Sequence, residues 1–130
     1  MPDRRLLLDT CALLWLASGS RRLSRRTIQE IDTARAVHVS AISAWEISLK
    51  VAMQDLELPL PPADWFGAAV RNHGLIVAPL DVDILIAANQ LPWHHRDPAD
   101  RFIIATARRH RLTVVTGDKR FDLYGVAVIC

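Results

Sequence analysis

Residues 6–16 read LLLDTCALLWL: three leucines, one acid, then an apolar pattern with helical spacing. With Arg5 in front of them, the leucines make a run too short for a helix and too uniformly apolar for a surface strand. This predicts a strand over Arg5–Leu8 covered on both faces. Asp9 closes it. A carboxylate there caps the helix that begins near Ala12, or emerges at the carboxyl edge of a sheet, and the two roles are compatible. Four more apolar runs follow, at Val37–Ser40, Leu75–Ala78, Thr113–Thr116 and Val126–Ile129. Helical patterns lie between them. Ser24 predicts an N-cap with Leu23 and Ile28 as a hydrophobic staple. Asp81 predicts another, ahead of a stripe formed by Leu80, Ile84, Ala87, Ala88 and Leu91. The prolines of Leu58–Pro62 mark a loop. Strands separated by helices give βαβ units, so the expected fold class is α/β, with a parallel sheet flanked by helices in a single domain over residues 1–130.

Bulk properties narrow the function classes. The chain has 130 residues, 51% of them hydrophobic, enough for one core. Its net charge of +2 does not by itself indicate nucleic-acid binding, yet fourteen of its sixteen cationic residues are arginine. Arginine suits bidentate contact with phosphate or carboxylate. The two cysteines, Cys11 and Cys130, form no CxxC or Cys/His cluster, which argues against zinc and for a reducing compartment. No apolar stretch is long enough to span a bilayer, and the start MPDRRLLLD is charged too early for a signal peptide. The expected location is the cytoplasm, away from membranes.

Four acids stand where elements meet. Asp9 ends the first strand. Asp118 follows the run Thr113–Thr116 after Gly117, a residue that permits a tight turn. Asp100 lies in HHRDPADRFIIATARRH, where Asp97 and Pro98 read as N-cap and first helical residue. Asp100 is then at the third position, favoured by the helix dipole, and heads the stripe Ile103, Ile104, Ala107. Glu46 lies in SAISAWEISLK, at the margin of a buried face traced through Ile42, Trp45, Leu49, Ala52 and Met53. Each acid has a structural role open to it: a cap, a turn, or for Glu46 a pair with Lys50 or a capping box with Ser43. Asp122 competes with Asp118 but belongs with the following loop. Together the four point to one sheet edge, and gathered carboxylates raise one another's pKa unless a cation neutralises them. An all-oxygen donor set favours Mg2+ or Mn2+ over zinc. Thr10, Ser43, Asp97 and Thr116 stand as supporting residues. His94 and His95 are expected to line the approach or cap local backbone rather than bind metal.

The segments LLLDTCALLWL, SAISAWEISLK, LPWHHRDPADRFIIATA and VVTGDKRF, in this order, resemble the PIN domain, specifically the VapC-type toxin ribonucleases of bacterial toxin–antitoxin systems. One departure is Cys11, where relatives with a similar opening often carry histidine. The resemblance implies a sheet of order 3-2-1-4-5 and an acidic quartet at Asp9, Glu46, Asp100 and Asp118. It further implies Mg2+- or Mn2+-dependent endonucleolytic cleavage of RNA, with Asp9, Asp100 and Asp118 holding metal and Glu46 orienting water. A cognate VapB-type antitoxin and a homodimer are implied partners, with Trp15, Leu16, Trp45, Trp65 and Phe66 as anchors if they are not core. Arg96, Arg101, Lys119 and Arg120 are the nearest cations for the RNA backbone. A phosphoacceptor receiver domain fits poorly, since it needs adjacent acids after the first strand and a late lysine. A PIN-like module that only binds RNA or protein, and a housekeeping PIN nuclease, are the alternatives. The sequence does not select an RNA target.

Overall fold

A computed structural model describes residues 3–130; the first two residues of the expected domain lie outside that range. Its centre is the strand β1 (Arg5–Leu8), which pairs in parallel with β2 (Ala36–Ser40) on one side and β4 (Thr113–Val115) on the other. β3 (Ile76–Ala78) and β5 (Val128–Ile129) complete an all-parallel sheet of order β3-β2-β1-β4-β5, as expected. The leucines of β1 alternate between two cores and are all fully buried. Leu6 and Leu8 face α1 (Thr10–Ser18), α2 (Arg25–Thr33) and α4 (Pro62–His73). Leu7 faces α5 (Val82–Gln90) and α6 (Pro98–His110). The remaining helix, α3 (Ala41–Ala52), gives Ile42 to one core and Ile47 to the other.

Local signals set the helix starts. Ser24 accepts from the Thr27 amide, Asp81 from that of Ile84, and Asp97 from that of Asp100. Each satisfies one of the amides that a helix N-terminus leaves unpaired. Because every strand runs the same way, a helix that leads into the next strand begins over the sheet's carboxyl edge. α6 enters β4 in this manner, which brings its first turn beside the ends of β1 and β4.

Three expectations need correction. The stripe Trp45, Leu49, Met53 on α3 is exposed, Trp45 by 56% and Met53 by 66%, and the buried positions are Ile42, Ser43 and Ile47. α3 has apolar residues on more than one face, and the face that meets both cores wins. Coverage on both sides fails for β3, an edge strand whose Ile76 and Val77 are exposed. The last run is also shorter than expected. Residues Lys119–Tyr124 form a 3-10 helix that ends at Gly125 in the left-handed region (φ 72°), so pairing with β4 begins only at Val128.

Candidate active site

The first side chain at the carboxyl edge is Asp9. Its backbone amide donates to Val115 O across the β1–β4 pair, and its Oδ1 accepts from the Ala12 amide at 2.7 Å. Thus the N-cap and sheet-edge roles coexist in one residue. Thr10, next along, pairs its hydroxyl with that of Ser43 at 2.9 Å, with both residues buried. That bond ties α1 to α3. The Ser43 capping box is therefore not formed; Ser40 is the cap of α3, accepting from the Ile42 amide. Glu46 sits one turn beyond and is half-buried. Among the described residues no ion pair joins it to Lys50.

Asp118 follows β4. Its amide donates to the hydroxyl of buried Thr116, and its carboxylate caps the 3-10 helix through the Arg120 amide. The intervening Gly117 is not in the left-handed region; it is needed for space, since a Cβ there would lie 3.0 Å from the Trp15 ring. Asp122, the competing acid, is exposed within that 3-10 helix. Asp100 arrives from α6, aimed by the Asp97 cap at 3.3 Å. A cavity of about 500 Å³ is lined by Asp9, Glu46, Asp100 and Asp118 together with Thr10, Cys11, Asp97, Lys50, Lys119 and Arg120. The four acids expected to share one site line one pocket.

Electrostatics separate them. Asp100 is pushed up to about 7, first by burial and then by the charges of Asp97, Asp9, Glu46 and Asp118. Asp9 is also raised by burial and by Glu46 and Asp118, against hydrogen bonds from Thr116 and Ala12 that favour its charged form. Asp118 goes the other way. The Arg120 guanidinium grips both its oxygens, the shortest contact being 2.7 Å, and holds its carboxyl below the usual range. Burial and the neighbouring Asp9 raise the Cys11 thiol, so it is a poor nucleophile at neutral pH.

A proton retained near neutrality on an acid ringed by acids marks negative charge with too little compensation. Such a site suits a hard divalent cation, and the carboxylate oxygens offered fit one. Among the described residues, His95, Asp100 and Asp118 gather donor atoms that all lie within 4.8 Å of one another; Asp9 lines the same pocket outside that group. His95 was absent from the expected site. Its signal in the sequence was its position five residues ahead of Asp100, obscured by the adjacent His94.

The expected phosphate-binding cations divide. Arg96 and Lys119 are exposed and available, with Lys119 on the pocket wall. Arg120 is exposed too, but engaged with Asp118. Arg101 is a correction: only 2% exposed, it donates to the carbonyls of Ala88, Leu91, Pro92 and His95 and lies 3.5 Å from the Trp93 ring. It cannot reach an RNA backbone from there. Because Arg120 competes with any cation for Asp118, Arg120→Gln is expected to bind Mn2+ several-fold more tightly than wild type by titration calorimetry. Unchanged or weaker binding would show that Asp118 is not a ligand.

The PIN domain family model matches residues 6–126. The chain is 32% identical over 119 residues to ribonuclease VapC22 of Mycobacterium tuberculosis, covering 88% of each protein. Among solved structures it is similar to FitAcB from Neisseria gonorrhoeae, at 26% identity, TM-score 0.63 and 96% of each chain. It also shares its fold with VapBC2 from Rickettsia felis bound to a promoter DNA fragment, at 12% identity, TM-score 0.73, over 96% of this chain and 97% of that one.

Proposed function

The chain belongs to the PIN domain family, and on that premise we propose that it is a Mg2+- or Mn2+-dependent endoribonuclease, the toxin of a VapBC-type toxin–antitoxin pair. The observation that carries this reading is the single pocket lined by Asp9, Glu46, Asp100 and Asp118. Asp9, Asp100 and Asp118 would hold the cation, which when bound would polarise the scissile phosphate and make water a stronger nucleophile at neutral pH. Glu46, half-buried on the pocket wall, orients that water and accepts its proton. Attack in line on phosphorus forms one P–O bond as the bond to the 3′ oxygen breaks, and that oxygen takes a proton from solvent, leaving a 5′-phosphate and a 3′-hydroxyl. Lys119 and Arg96 position the RNA backbone without selecting sequence. Thr10, Ser43, Thr116 and Asp97 fix the acids through the hydroxyl pair and the caps described above.

The partner in this reading is a VapB-type antitoxin. Of the expected anchors, Trp45 on α3 is the one left most exposed to a partner, while Trp15, Leu16, Trp65 and Phe66 are half-buried against the core. A homodimer has apolar surface to draw on at Ile76, Val82 and Ile86. The same reading places the protein in the cytoplasm; among the described residues no helix is long and apolar enough to cross a membrane.

Purified protein is expected to cut RNA with Mg2+ or Mn2+ and to stop when EDTA is added. Asp9→Asn is expected to abolish cutting with the fold intact, because asparagine keeps the oxygen that caps Ala12. Cleavage that survives EDTA, or an active Asp9→Asn protein, overturns the mechanism.

A further inference from the structure

Behind Asp100 lies a buried chain of side chains that the cleavage mechanism does not use. His95 Nδ1 is 2.8 Å from the Tyr124 hydroxyl, and His95 Nε2 is 3.3 Å from Asp100 Oδ2. The same hydroxyl accepts from the His95 backbone amide at 3.1 Å and lies 3.5 Å from Arg101 Nη1. His95 and Tyr124 are both buried.

Counting protons fixes the direction of each bond. A phenol has one proton to give and two lone pairs to receive with. The His95 amide can only donate and takes one of those lone pairs; Arg101 Nη1, at 3.5 Å, lies nearer to Pro92 O and His95 O, which take its two hydrogens. The direction is set from the other end. An ionised Asp100 can only accept, so Nε2 of the neutral ring carries the hydrogen and donates it to Oδ2. Nδ1 must then accept, and the phenol's own proton goes to it. The opposite tautomer would set the Nε2 lone pair against the carboxylate. It follows that the Nε2 atom, though close to Asp100 and Asp118, is a donor to the carboxylate and not a ligand beside it.

We propose that His95 and Tyr124 are positioning residues for the cation site: Tyr124 holds His95 in its Nε2–H tautomer, and His95 holds Asp100 Oδ2, leaving Oδ1 for the cation. This rests on the assignment of Asp100 as a ligand. Groups that orient a metal ligand from behind set affinity as well as geometry, and losing one typically weakens binding by about tenfold to a hundredfold. Tyr124 closes the 3-10 helix that begins next to Asp118, so the relay also joins the segments carrying two of the acids.

The tautomer is read directly in the intact wild-type protein from nitrogen-15 shifts of the imidazole. An Nε2–H ring is expected, and an Nδ1–H ring overturns the proposal without any substitution being made. Mn2+ titration of variants supplies the second readout. Tyr124→Phe is expected to mix the His95 tautomers and weaken Mn2+ binding several-fold. His95→Gln, whose amide nitrogen reaches the place of Nε2, is expected to retain more affinity than His95→Asn, whose nitrogen reaches only that of Nδ1. Equal affinity in wild type, Tyr124→Phe and both His95 variants overturns the proposal. A wild-type protein that binds Mn2+ and has the Nε2–H ring but leaves RNA intact refutes the nuclease reading alone.

Discussion

Asp100→Asn is expected to eliminate RNA cleavage and, without divalent cation at pH 8, to melt at a higher temperature than wild type. On the proposed assignment of Asp100 as a ligand, loss of activity follows because several kcal/mol of transition-state stabilisation would go with the cation, or roughly a thousandfold in rate. The gain in stability comes from the proton affinity of Asp100. In the unfolded chain this acid titrates near its ordinary value of 3.8; in the fold it titrates at about 7. The folded state therefore holds the proton more tightly, and the metal-free protein loses stability as pH rises from about 4 through 7. The full penalty above that range is roughly 4 kcal/mol, reduced toward about 3 kcal/mol by solvent screening of a partly exposed group. An asparagine side chain in its place carries no charge to bury and can still accept from His95. Asp9, also raised, contributes in the same direction. His95 opposes it: burial lowers its pKa below 6.5, so its contribution falls as pH drops beneath that value. The difference between wild-type and Asp100→Asn melting curves isolates the Asp100 part. Added Mn2+ is expected to raise the wild-type melting temperature and to leave the variant nearly unmoved. A variant that melts lower than wild type at pH 8 without cation, or still cuts RNA within tenfold, contradicts this account.

Arg101→Met is expected to destabilise the fold more than the loss of any other arginine in the chain. α5 ends at Leu91 without a left-handed glycine, and its last carbonyls need donors. Arg101 supplies them, with Nη2 donating to Ala88 O at 2.8 Å and Leu91 O at 2.9 Å, and Nη1 to Pro92 O at 3.0 Å. One guanidinium thus closes α5 and pins the loop that carries His95. Methionine fills the volume but leaves those buried acceptors unmet, at a cost of about 3 to 5 kcal/mol. For a chain of this size that is roughly 10 °C or more in melting temperature. Arg101→Lys is expected to recover little, because an ammonium cannot fork between carbonyls on two sides. Melting curves of the three proteins decide it, and a loss of only a degree or two in the methionine variant would show that water satisfies the carbonyls instead.

Local features were legible before the structure. The caps at Ser24, Asp81 and Asp97 each depend on one side chain and an amide three residues on, so sequence spacing suffices. β1 and the sheet-edge placement of Asp9 and Asp118 were read in the same way. The strand order followed from family resemblance, since apolar runs do not say which neighbours they pair with. What failed depended on distant partners. The line Trp45, Leu49, Met53 has helical periodicity, but periodicity says that a helix has an apolar face without saying which face is covered. Arg101 looked like one surface cation among fourteen arginines. Its place three residues before Ile104 and four before Ala105, inside the buried stripe of α6, was the available sign.

The order of the sheet has a consequence for how the activity comes into being. β1 is made first and its partner β4 is made nearly last, with Asp9 at the end of one and Asp118 just beyond the other. Contacts this distant in sequence form late and cooperatively. A nascent or truncated chain that stops before β4 lacks a wall for Leu6 and Leu8 and lacks Asp118 altogether. Cleaving ability therefore arrives together with the finished fold, and fragments left by interrupted synthesis or proteolysis are expected to be inert toward RNA.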